Sequence, residues 1–127
     1  RPTPVLILDA DHFKNINDQF GHDKGDEVLV LLARTLENRV RETDSVCRWG
    51  GEEFIILLPQ TDISNAAHLA ECLRAFVAEI QIPALPHITV SIGVAQHQQE
   101  ETTESLLKRA DAALYTAKAS GRNKVVC

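Results

Sequence analysis

The chain reads as an α+β fold, a sheet with helices packed against it. Two short apolar runs, VLIL at residues 5–8 and FIILLP at 54–59, have the length of strands, and SVCRW joins FIILLP through the pair Gly50-Gly51. A tight hairpin turn needs positive backbone angles, which glycine supplies. Longer stretches between such runs carry apolar residues at helical spacing.

In chain order, VLIL is a strand buried on both faces, ending in Asp9. Phe13, Ile16 and Phe20 predict a short helix stopping at Gly21, and Val28, Leu29, Leu32, Leu36 and Val40 predict a second helix from Asp23 to about Val40. After the hairpin, Ser64 is the expected N-cap of a helix that turns Ala66, Leu69, Ala70, Leu73, Phe76, Val77 and Ile80 to one side. Pro83 and Pro86 break the chain. HITVSIGVA alternates Ile88, Val90, Ile92 and Val94 with His87, Thr89, Ser91 and Gly93, which predicts a half-buried strand. A last helix from near Thr103 ends at Gly121, before a short NKVV strand.

The 127 residues suit one domain, and 44% hydrophobic content supports a real core. No apolar run approaches the roughly 18 residues that span a bilayer, so we expect a cytoplasmic domain without membrane contact. Cys47, Cys72 and Cys127 are odd in number and widely spaced, which suggests neither a disulfide framework nor a thiol zinc site. The net charge of -5 argues against a nucleic acid polymer as partner. An anionic ligand would need a metal, a few placed cations or helix N-termini.

The acids supply the first of these. Asp9 closes a buried strand, where a charge is costly unless paired or metal-bound. Asp9 and Asp11 would partner an acid from Glu52-Glu53, and strand alternation sends at most one of those two toward a common site. Carboxylates from separate strands, with a backbone carbonyl between Asp9 and Asp11, make an all-oxygen site suited to Mg²⁺ or Mn²⁺.

LDADHFKNINDQFGHDKGD, RWGGEEF, VSIGVA and LLKRADAALYTAKASGRNKV together resemble the GGDEF family of diguanylate cyclases, across essentially the whole chain. The resemblance implies a ferredoxin-like or nucleotidyl-cyclase, polymerase-palm-like fold with a mixed, mainly antiparallel sheet. It implies that two GTP molecules, one on each of two facing copies, are joined into cyclic di-GMP with loss of pyrophosphate. Asp9, Glu52 and the Ala10 carbonyl would hold the ion, Glu52 would assist deprotonation of the attacking 3′-hydroxyl, and Glu53 would support the site. Asn17 and Asp26 match the base-reading pair, because a carboxylate accepts from the guanine N1 and N2 donors that adenine lacks. His22 matches a further substrate position. Lys118 and Arg122 match the cations on the β- and γ-phosphates, and backbone amides around His12, Phe13 and Lys14 would cradle the triphosphate.

RETD at 41–44 matches the family's inhibitory pattern, in which Arg41 and Asp44 bind the product away from the active site. An arginine that some members add from the next helix falls here at Cys72, so that contact is expected to be missing. Arg74 would point about 200° elsewhere. The opening Arg1-Pro2-Thr3-Pro4 runs straight into VLIL, without the helix and D-x-L-T segment that open the family's domain. The chain therefore resembles a trimmed domain that an upstream sensory module would precede. A cyclic di-GMP receptor that keeps RETD but has lost catalysis is the alternative reading; such receptors usually break the glycine-acid motif, which is intact here.

Overall fold

A computed structural model describes residues 3–127, so Arg1 and Pro2 of the opening run lie outside the described residues. The elements are β1 (Pro4–Ala10), α1 (Phe13–Phe20), α2 (His22–Asn38), β2 (Ser45–Arg48), β3 (Glu53–Leu57), α3 (Ile63–Glu79), β4 (Val90–Gln96), α4 (Thr103–Ala119) and β5 (Val125–Val126). The sheet order is β2-β3-β1-β4-β5, antiparallel except for the parallel β4–β5 pair. It is the expected mixed, mainly antiparallel sheet.

Strand alternation divides the core in two. Leu6, Leu8, Phe54, Ile56, Val90 and Ile92 pack on one face beneath α1, α2 and α3. Val5, Ile7, Ile55 and Ala95 pack on the other against Leu106, Ala110 and Leu114 of α4. β1 is buried along its whole length, as its unbroken apolar run requires.

β4 departs from the expected half-buried strand. Ser91 and Gly93 are as enclosed as their apolar neighbours, because α4 lies directly on that face. The approach needs a glycine: a Cβ at residue 93 would stand 2.2 Å from the Ala110 carbonyl oxygen and 2.4 Å from the Leu114 nitrogen. Gly93 and the small Ala110 let two backbones meet where alternation suggested solvent.

The cap of α3 also differs. Asp62, not Ser64, accepts the Asn65 backbone N–H at 2.8 Å, and with the helix starting at Ile63 Ser64 is already inside its first turn. α2 runs from His22 and stops at Asn38, short of Val40. α4 starts at Thr103 as expected, capped by Thr102, whose side chain accepts from the Ser105 N–H. It stops at Ala119, and Gly121 (φ 124°) lets the chain turn back so that the Arg122 N–H reaches the Ala117 carbonyl at 2.9 Å.

Candidate active site

The C-terminal end of β1 is the meeting point. In the β1–β3 register Asp9 lies opposite Glu53, and in the β1–β4 register it lies opposite Ser91. Directly opposed residues share a face with Cβ atoms about 5 Å apart, so Glu53 and Asp9 stand side by side on the α4 side of the sheet. The hairpin delivers the second acid: the Glu53 N–H donates to the Gly50 carbonyl, and the Trp49 N–H to the Glu53 carbonyl. Gly50 (φ 90°) and Gly51 (φ 53°) take the positive angles expected of them. Glu52 therefore sits in the turn, outside strand alternation, half-buried beside Asp9.

Asp9 is 4% exposed and Lys118 of α4 donates to its Oδ2 at 2.5 Å. Its Oδ1 is buried without a hydrogen-bond partner. Burial pushes the Asp9 carboxyl above its ordinary value, against the pull of Lys118 and with added push from Glu52 and Asp11. Burial likewise raises Glu53, with further push from Asp111 of α4 and from Asp9. Several acids thus crowd around one lysine. An orphaned, buried carboxylate oxygen is costly unless a cation or donor faces it. Among the described residues no three His, Cys, Asp or Glu side chains stand close enough to ligate one metal. A divalent ion would accordingly need oxygen atoms from the backbone and from a phosphate as well, the donor set that Mg²⁺ prefers.

Asp11 has a different place from the one expected. Its Oδ2 accepts from the Thr89 hydroxyl at 2.6 Å and the Asn123 N–H at 3.0 Å, and its Oδ1 accepts from the Ser91 hydroxyl at 2.6 Å. Both oxygens are spent on the protein, so Asp11 is a clamp that holds the segment after α4 against the sheet. Arg74 of α3 grips the same segment, donating to Asn123 Oδ1 at 2.9 Å and forking onto Glu71, which confirms that it points away from Cys72. Arg122, between these anchors and the end of α4, is exposed with φ 63°.

α1 starts in the turn that follows β1. His12 takes a left-handed conformation (φ 57°) and gives no side-chain cap, which leaves the first amides of α1, at Phe13 and Lys14, without one. Farther along α1, Asn17 Oδ1 is buried without a partner and lies against Gly25 of α2, where a Cβ would come within 1.9 Å of it. Asp26, the next residue, is exposed and lines an open groove of about 370 Å³ with Val30 and Arg34, in which Asn17 takes no part. His22 is exposed at the start of α2. The sites missed in the sequence are Gly25, Asn123 and Asp111. Only Gly25, isolated within a helical stripe, carried a signal of close approach.

The sequence profile described as "Diguanylate cyclase, GGDEF domain" matches residues 1–124. The chain belongs to the GGDEF family. It is 56% identical over 122 residues to diguanylate cyclase DgcM of Escherichia coli, covering 96% of this chain and 30% of that protein. It is 47% identical over 131 residues to the response regulator PleD of Caulobacter vibrioides, covering 98% of this chain and 29% of that one. The GGDEF chain thus spans about a third of the length of these relatives. Among solved structures, the active GGEEF domain of a Vibrio cholerae diguanylate cyclase matches with a TM-score of 0.93 at 42% identity, over 99% of this chain and 82% of that one. The GGDEF domain of DgcB from Caulobacter crescentus, solved with c-di-GMP, matches with a TM-score of 0.93 at 35% identity, over 98% and 77%. The α+β nucleotidyl-cyclase-like fold is therefore shared with these domains.

A second cavity, of about 290 Å³, lies across the molecule, lined among others by Arg39, Arg41, Asp44, Thr61, Asn65 and Leu69. Here RETD closes on itself: the Arg41 guanidinium donates to Asp44 through Nη2 at 3.2 Å and Nε at 3.4 Å. Asp44 also accepts the Arg41 backbone N–H at 2.9 Å. No helix among the described residues is long and apolar enough to cross a membrane.

Proposed function

We propose that the chain is a diguanylate cyclase domain, binding GTP with Mg²⁺ or Mn²⁺ and joining it to a second GTP, held by a facing copy, as cyclic di-GMP. The observation that carries this reading is the unpartnered, buried Oδ1 of Asp9 beside Glu52, Glu53 and Lys118. Asp9, Glu52 and the Ala10 carbonyl would hold the ion, which when bound supplies positive charge against the α-phosphate. Glu52 accepts the proton of the 3′-hydroxyl, and Glu53, raised by burial, supports the acids around it.

Lys118, which donates to Asp9, would supply a cation to the β- and γ-phosphates, and Asp9 would be among the residues that hold the ion. Arg122 supplies the second cation, and the uncapped amides at Phe13 and Lys14 receive the phosphates as donors. Asn17 and Asp26 read the guanine edge, with His22 beside them, and the unspent Asn17 Oδ1 is an acceptor suited to a base N–H. The cavity at Arg41 and Asp44 is read as the product-inhibition site. An upstream sensory domain and a cytoplasmic setting complete the reading.

The test is a GTP and Mg²⁺ assay with the copies held together by a fused dimeriser. The parent chain should form cyclic di-GMP and Glu52→Gln should form none while keeping its fold by circular dichroism. Product formation by Glu52→Gln at the parent rate would refute the acid assignment.

A further inference from the structure

The cavity beside RETD contains two guanidinium groups, and one of them is already committed. Arg41 gives Nε and Nη2 to Asp44, and Nη2 also to the Pro59 carbonyl at 3.1 Å and the Thr61 hydroxyl at 2.6 Å. Its partner Asp44 is 2% exposed in its side chain, so this pair is the fixed wall of the cavity. Arg39 is placed differently. It follows the last residue of α2, lines the same cavity, and among the described residues makes no hydrogen bond or ion pair through its side chain. Its guanidinium carbon lies 3.4 Å from the ring centroid of Phe76 in α3, seated over the ring.

An aromatic platform does two things for such a group. It holds the planar cation in place without using any of its five N–H donors, and it reduces the ordering needed when a ligand arrives. Cys72, in the same helix, adds no charge to this face. We propose that Arg39, seated on Phe76, is a second ligand-gripping cation of this cavity beside Arg41, stacking on a guanine and forking onto the acceptors or phosphate of cyclic di-GMP. The assignment rests on the reading of the cavity as the product site. It gives the cavity an unspent, pre-placed guanidinium in addition to the Arg41–Asp44 pair.

Titration calorimetry with cyclic di-GMP on the 127-residue chain tests it, using Arg39→Ala, Arg39→Lys, Phe76→Leu and Arg41→Ala. Arg39→Ala should bind at least about tenfold more weakly, the loss expected of one good guanidinium fork. Arg39→Lys keeps the charge without the plane and should recover only part of the affinity, and Phe76→Leu should weaken binding by about threefold. Arg39 is exposed, so thermal unfolding of its variants should match the parent. If Arg41→Ala binds as the parent does, the cavity is not the product site. If Arg41→Ala loses binding while Arg39→Ala and Arg39→Lys keep the parent affinity, the site stands and the assignment of Arg39 is overturned.

Discussion

Replacing Asp11 by alanine removes an acceptor on which three donors converge: the Thr89 and Ser91 hydroxyls and the Asn123 N–H. Hydrogen bonds to a charged group contribute about 1.5–3 kcal/mol each. Their full sum is not expected, because burying the carboxylate has its own cost and both hydroxyls can rotate toward other acceptors. The Asn123 N–H cannot rotate, and Ser91 is fully buried. We expect Asp11→Ala to lose about 3–4 kcal/mol and, for a chain of this size, to melt about 10 °C lower or more. Asp11→Asn is the control. Its oxygen can serve Asn123 and Thr89 while its amide donates to Ser91 Oγ, so only charge assistance is lost, about 1 kcal/mol. Urea unfolding followed by circular dichroism measures both. A loss below about 1 kcal/mol for alanine, or equal losses for the two variants, would refute the clamp.

Two further substitutions probe the contacts that set the site. Gly93→Ala should cost about 3 kcal/mol in the same measurement, since the new methyl meets helix backbone rather than a yielding side chain. Asp9→Asn tests the sign of a pH dependence. The folded Asp9 carboxyl titrates above its ordinary 3.8, so the folded state holds that proton to higher pH than the unfolded chain, and the parent should lose stability relative to Asp9→Asn as pH rises beyond 3.8. Unfolding free energies of both chains at several pH values check this; a gain by the parent over that range would mean that the pull of Lys118 outweighs burial.

The strands and long helices were legible because their signals are local: an apolar run, a glycine pair, a stripe of leucines. β4 was misread because what covers Ser91 and Gly93 is α4, whose approach depends on the size of Ala110 and not on any pattern within the strand. The site divides in the same way. Asp9 and the hairpin acids announced themselves through position, one at the end of a buried run and two at a turn. The role of Asp11 depends on partners 78, 80 and 112 residues away, and the seat of Lys118 on one 109 residues away. Arg39 had no signal beyond being an arginine after a helix, because its distinction is Phe76, which helical spacing assigned to the core and the fold leaves half-buried.

α3 carries an arginine on one flank and an aromatic ring on the other, two positions apart and so about 200° around the axis. The arginine fastens Asn123, the neighbour of Arg122, and the ring seats Arg39. One helix, roughly 10 Å across, therefore touches both the segment after α4 and the residue that lines the cavity at Arg41 and Asp44.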